Sequence, residues 1–285
     1  MIRMRLLAKA LARQRRGESA LGLEACLAST SVDLEPGDFV SDAIAGGIID
    51  FLRGKSFRYV ASGTVKVPCD ATLESVLRPN GSASRRGLRA DCGSPARLPG
   101  MPGEEARIWS ALGVAQTLKA QHARERAEAK AQAAKEGSVV VICTRPGEIS
   151  PATWRKALTF AAEQLLPALF VVLPTPRRKG NNASAAKNGA MSAVAHRCGV
   201  PGMAADADDA VALYRVAQEA IGRARIGGGA ALMECVPFVL EGTQRRTQAP
   251  ADAIAGLEQY MLGRGIATRQ WMEREARWCA GRIAK

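Results

Sequence analysis

Histidine is nearly missing from this chain: two residues in 285, His122 and His196, and neither lies beside a set of ligands at metal-binding spacing. A zinc centre and a Ser-His-Asp triad therefore lack their defining side chain. Aromatics make up 5% of residues and are not interleaved with the basic ones, so the stacking platform used to hold single-stranded nucleic acid is not indicated. No apolar run approaches the roughly 20 residues that cross a bilayer, which points to a protein without a membrane partner. The seven cysteines are scattered (26, 69, 92, 143, 198, 235 and 279), with no C-x-x-C pair, and read as free thiols of a reduced cytoplasm rather than a disulfide framework. There is no internal repeat.

What is present is a length of 285 residues that permits one large α/β domain or two modest ones, with ample core from an apolar fraction of 47%. The net charge of +13 draws anionic partners over a distance. Part of it lies in residues 1–16, which contain no acid and place Ile2, Leu6, Leu7 and Leu11 mostly on one helical face. A transit-like or surface-binding helix has this look. An ordinary helix packing on the domain or a partner is the expected reading. More positive charge lies in Arg177-Arg178-Lys179 and in the C-terminal helix.

The most informative stretch is 139–172. Val139–Cys143 and Ala168–Leu173 are short apolar runs of the kind buried on both faces of a parallel sheet. Between them Trp154, Ala157, Leu158, Ala161 and Leu165 recur at helical spacing. In such a strand–helix–strand unit a ligand sits at the turn after the first strand, here Thr144-Arg145-Pro146-Gly147-Glu148. Strands are expected near 138–143, 168–173, 200–205 and 230–236, and crossover helices at 151–166, 184–198 and 209–226. Further helices are expected at 3–29 (broken at Gly17-Glu18), 40–54, 104–136, 254–262 and 268–283. The chain reads as one domain: N-terminal helices over 1–59, an irregular segment over 60–104, an α/β core over 105–245 and C-terminal helices over 250–285.

Several short stretches, in a common order, carry a resemblance. Arg-Pro-Gly-Glu-Ile-Ser-Pro-Ala (145–152) stands where Gly-Asp-Gly-Ala-Thr-Asn-Glu-Gly would, followed by Lys156-Ala157-Leu158-Thr159-Phe160-Ala161-Ala162 and Leu166-Pro167-Ala168. Pro36-Gly37-Asp38-Phe39-Val40, Cys198-Gly199-Val200-Pro201-Gly202, the stretch 206–214 and Ala231-Leu232-Met233-Glu234-Cys235 continue it. The chain thus resembles the alpha subunit of the thiamine-diphosphate-dependent 2-oxo-acid dehydrogenase first component, of pyruvate or branched-chain type. The resemblance covers most of 20–47 and 108–245. It implies a three-layer α/β fold with a mainly parallel sheet of the thiamine-diphosphate-binding type. It also implies oxidative decarboxylation of a 2-oxo acid as the family activity, and a beta-subunit-like partner or self-association.

The resemblance also implies which positions should hold the cofactor and its magnesium, and these have changed. Pro146 stands at the metal-binding Asp, between Arg145 and Gly147, and Ser150 stands at the following Asn. A proline has neither a carboxylate nor an N–H to offer. Pro174 or Thr175 stands at the second metal ligand, with Asn181 and Asn182 further on. Ile44, Ala45, Gly46 and Gly47 replace a Tyr-Arg-Gly-His, and Thr243 replaces a second His. Metal ligands, cations and acid–base groups are lost together while the apolar framework persists, which is what a retained fold with an abandoned site looks like.

No bound thiamine diphosphate, magnesium or catalytic residue is therefore expected, and the chain reads as a non-catalytic partner subunit. Two alternatives stay open: an active enzyme whose missing ligands come from a partner chain, and an anionic-metabolite-binding protein using Arg145 and the basic loop. Gly147 is expected to be a turn glycine. Asp206, Asp208 and Asp209 are expected to cap a helix rather than hold calcium, and Gly227-Gly228-Gly229 to be a connection rather than a phosphate loop. Trp109, Leu112 and Val114 on one helix, and Trp271 and Trp278 on another, are the candidate contact surface for a partner, with packing onto the chain's own core as the alternative.

Overall fold

The structure is a computed structural model that describes residues 1–3, 5–6, 9–10, 22–35, 37–41, 96–97 (backbone only), 103–128, 136–174, 190–238 and 252–283. Among these residues six strands form one sheet: β1 (Phe39–Ser41), β2 (Ala96–Arg97), β3 (Val140–Thr144), β4 (Ala168–Val172), β5 (Gly202–Asp206) and β6 (Ala231–Val236). The order across the sheet is β2-β1-β3-β4-β6-β5, and every neighbouring pair is parallel. The helices are α1 (Glu24–Ser29), α2 (Glu104–Glu128), α3 (Pro151–Glu163), α4 (Ala190–Arg197), α5 (Ala210–Arg225), α6 (Ala253–Gly263) and α7 (Arg269–Ile283).

Strand alternation divides the core into two layers. Val139, Val141 and Cys143 face one cluster together with Leu169, Val171, Ala231 and Met233, covered by α1, α5 and residues of α6 and α7. Val140 and Ile142 face the other with Ala168, Phe170, Val172 and Leu232, covered by α2, α3 and α4. Both faces are therefore buried, which is why β3 and β4 are apolar but for the terminal Thr144. The α/β three-layer parallel arrangement expected from the sequence is the one observed.

Local signals set most boundaries. Asp209 caps α5 as expected, accepting from the N–H groups of Val211 at 2.8 Å and Ala212 at 3.1 Å, whereas Asp206 ends β5 and accepts from the Asp208 N–H at 3.0 Å. Gly227 and Gly229 adopt φ of 85° and 83° between α5 and β6, a connection as expected. Two expectations need correction. Residues 39–41 form β1 instead of opening a helix over 40–54, because Phe39, Val40 and Ser41 pair in register with Val140, Val141 and Ile142. The rest of that helix, 42–54, lies outside the described residues. At the far end of α2, Glu136 is not helical, and 129–135 lie outside the described residues.

The amino ends of β1 and β3 are joined by a buried ion pair. Arg225, the last residue of α5, reaches Asp38 Oδ2 at 2.5 Å and Oδ1 at 3.1 Å, and also the carbonyls of Gly137 at 3.2 Å and Asp33 at 3.2 Å. Asp38 is fully buried and accepts in addition from the N–H of Val139 at 2.9 Å and of Glu35 at 2.6 Å. Every charge here is met by several partners, the condition under which a buried pair is tolerated.

The N-terminal residues pack on the chain itself, as expected for an ordinary helix. Met1, Ile2, Leu6 and Ala10 rest against the first cluster, and Arg5 joins the α6 cap residue Asp252, holding its carboxyl below the ordinary range. Arg3 and Arg282 lie over the Trp278 ring at 4.1 and 4.8 Å. Trp271 and Trp278 remain 40% and 43% exposed, whereas Leu112 and Val114 are wholly buried in the chain's own core and are not contact residues for a partner. Among the described residues no helix is long and apolar enough to cross a membrane.

Removing one side of the buried pair strands the other charge. Asp38→Ala is expected to lower the unfolding free energy by about 3–5 kcal/mol, read from urea denaturation. A loss below about 1 kcal/mol would show that the pair does not hold the amino end of the sheet.

Candidate functional site at the carboxyl end of the sheet

The carboxyl ends of β1, β3 and β4 and the first turns of α2 and α3 meet at one edge of the sheet. At the end of β3 the turn closes on itself. The N–H of Arg145 donates to Glu148 Oε2 at 2.9 Å, and the N–H of Glu148 donates back to the Arg145 carbonyl at 3.3 Å. Gly147 sits at φ 84°, so it is the turn glycine that the sequence suggested. Pro146 and Gly147 are exposed, Arg145 is half-buried, and Ile149 is buried in the core beneath them.

The start of α3 is equally self-contained. Ser150 is its N-cap, accepting from the Thr153 N–H at 3.2 Å, and Pro151 fills the first helical position. A carboxylate from α2 completes the cap: Glu105 accepts from the Thr153 hydroxyl at 2.9 Å and the Ser150 N–H at 3.4 Å. Hydrogen bonds from Ser150 first, and then Thr153, hold the Glu105 carboxyl below the usual carboxylate range. The helix end that favours an anion thus faces an anion of the chain's own.

A further charged group here was not marked by the sequence reading. Arg107, on α2, is 4% exposed, and its Nη1 donates to the Cys143 carbonyl at 2.8 Å and the Ser41 carbonyl at 3.1 Å, with Ser41 Oγ at 3.4 Å. Its Nη2 pairs with the Glu104 carboxylate. The Nε of Arg107 and the Oγ1 of Thr144 are buried without a hydrogen-bond partner among the described residues. One signal for Arg107 did exist: Glu104 and Arg107 are three apart, at ion-pair spacing on a helix, on a face otherwise filled by Ile108, Ala111, Leu112 and Ala115.

Of the sequence-derived positions, the structure brings together Arg145, Pro146, Gly147 and Ser150, and places Pro174, half-buried, just beyond β4. The Leu173 N–H donates to the Thr144 carbonyl at 2.8 Å, which keeps the ends of β3 and β4 in line. Ile44, Ala45, Gly46, Gly47, Thr175, Asn181, Asn182 and Thr243 lie outside the described residues, as does the 177–179 basic loop.

A hard divalent ion with a diphosphate needs several anionic or carbonyl oxygens turned towards it. The described groups do not fit that need. Pro146 supplies no carboxylate, Glu148 is folded back on its own turn, and Glu105 is engaged at α3. Among the described residues no group of three or more His, Cys, Asp or Glu is placed to hold a metal ion. The buried Glu234 on β6 is no exception, for it accepts from the Ser192 N–H at 2.8 Å and hydroxyl at 3.0 Å near the start of α4. Cys26, Cys143, Cys198, Cys235 and Cys279 are free thiols, and a hydrogen bond with Cys26, with burial, pushes the Cys235 thiol well up, leaving it protonated.

Residues 89–245 match the family described as dehydrogenase E1 component. The chain is 32% identical over 138 residues to the 3-methyl-2-oxobutanoate dehydrogenase subunit alpha of Mycobacterium tuberculosis, a match covering 45% of this chain and 37% of that protein. It is 33% identical over 109 residues to the pyruvate dehydrogenase E1 component subunit alpha of Staphylococcus aureus, covering 36% and 28%. The chain therefore spans only about a third of the length of the curated relatives it matches. A Pichia stipitis transketolase variant superposes with a TM-score of 0.49 and 14% identity, over 99% of this chain and 43% of that one.

Ser150→Ala is expected to cost about 1 kcal/mol through loss of the cap. It should also raise the Glu105 pKa towards the ordinary carboxylate value, followed by carbon-detected NMR titration of the side chain. Because the folded pKa of Glu105 is lowered, its contribution to stability is present above the unfolded value and fades as pH falls through the folded one. An unchanged Glu105 titration in the variant would show that the Ser150 side chain does not hold that carboxyl down.

Proposed function

The chain belongs to the dehydrogenase E1 component family, and on that premise we propose that it is an alpha-subunit-like member, non-catalytic by itself, that acts as a structural or regulatory partner of a beta-subunit-like chain. The family chemistry is the thiamine-diphosphate-dependent oxidative decarboxylation of a 2-oxo acid. The observation that carries the reading is the turn after β3. Where the family resemblance requires a metal-binding Asp, this chain has the exposed Pro146, and the turn around it spends Glu148 on its own backbone.

Two features support the partner role over the alternatives. The layers around the site are intact, with Ile142, Phe170 and Leu232 fully buried beneath it, so the fold has been kept although the turn has changed. The relatives named above are called alpha subunits, which supports a second, beta-like chain as the thing contacted. Anion binding at Arg145 gains less support, since Glu105 and Ser150 already serve the helix end beside it. A cytoplasmic heteromer is the working form that this reading implies, with self-association as the other outcome.

Titration calorimetry with thiamine diphosphate and saturating magnesium is expected to give no binding, and Pro146→Asp alone is expected not to restore it. Micromolar binding by the unaltered chain would sink the non-catalytic reading. Sedimentation of the chain alone and with the product of its neighbouring gene is expected to show association in at least one case. A compact monomer under both conditions at micromolar concentration would remove the partner role.

A further inference from the structure

The sheet order places a switch point between β1 and β3: from β1 the sheet continues outward to β2 on one side and through β3 to β4 on the other. In open parallel sheets the crevice at the carboxyl end of such a point is where a ligand lies, because the flanking connections depart in opposite directions. In this chain a side chain lies there. Ser41 is the last residue of β1 and pairs with Ile142, next to Cys143 on β3, and the Nη1 of Arg107 is within hydrogen-bond distance of the carbonyls of both Ser41 and Cys143.

We propose that Arg107 is a resident cation that closes the β1–β3 crevice from within, so that the sheet end is complete without a bound cofactor or metal. This rests on the non-catalytic reading above and deepens it. The partners of the guanidinium are two carbonyl oxygens, the Ser41 hydroxyl and the Glu104 carboxylate, an all-oxygen set suited to a positive charge. An arginine buried to 96% is tolerated only when its charge is met, and Glu104 meets it from one turn away. The planar fork allows one end to cross-link the two strands while the other holds the carboxylate. The Nε, without a partner among the described residues, fits this placement: the group satisfies the strand ends at the cost of one donor.

The account makes the oxygen set a cation site in its own right once the side chain is cut back. Thermal melting of the full chain is compared for wild type, Arg107→Ala and Arg107→Lys, each with and without millimolar methylguanidinium, with methylammonium as the control for charge alone. Arg107→Ala is expected to melt lower by on the order of 10 °C. Methylguanidinium should restore at least half of that loss and leave wild type unchanged, while methylammonium restores less. Arg107→Lys, which keeps the charge without the fork, should melt between the other two and keeps the test decisive if the alanine variant does not fold.

Adding Glu104→Gln to Arg107→Ala should abolish the rescue. A melting point for Arg107→Ala or Arg107→Lys equal to wild type overturns the proposal, and so does an absent rescue, or one that acts equally on wild type. None of those failures touches the calorimetric test of cofactor binding, so the closing role of Arg107 and the non-catalytic reading can fall separately.

Discussion

The fold depends on a buried charge pair, Asp38 with Arg225, that pins three chain segments at the amino end of the sheet. Asp38 leads into β1, Gly137 leads into β3, and Arg225 closes α5, so one guanidinium sets where both strands begin. Register follows from that anchor, since Phe39 pairs with Val140 directly after it. Hydrophobic burial drives the layers together, but it is non-directional and cannot by itself choose between registers. Fixed hydrogen bonds from a charged group can.

The same two strands are held at their other end by a second buried arginine. Arg107 ties the Ser41 and Cys143 carbonyls, so the β1–β3 seam is stapled by a guanidinium at each end, one balanced by Asp38 and the other by Glu104. Between the two, Val40, Val141 and Ile142 fill the sheet with apolar contact. Near the second staple two carboxylates are engaged within the chain: Glu148 by the backbone of its own turn, and the exposed Glu105 by the cap of α3.

The strand–helix–strand unit over 139–172 was legible because its signals are local: two short apolar runs, a helical stripe and a Ser-Pro start. Asp209 as a cap and the triple glycine as a connection were legible for the same reason. That Pro146 brings neither a carboxylate nor an N–H to the turn was legible too, since that lack does not depend on context. Other positions read from the resemblance, Ile44 to Gly47, Thr175 and Thr243, fall outside the described residues and add nothing to the geometry. The interface reading of Leu112 and Val114 failed because helical spacing reports an apolar face without saying what covers it.

The sequence by itself determined the alternation of strand and helix and the caps and turns. All of these act within a few residues. Tertiary structure decided what β1 is, and what the charged groups do. Val40 and Ser41, read as the start of a helix, became strand because β3 offered a partner about a hundred residues away. Arg107 became a strut and Glu105 a cap through contacts 36 to 66 residues apart along the chain. A charge on a helix is neutral in its sequence context. Its role is fixed only when folding removes water and leaves it the oxygens that happen to be near.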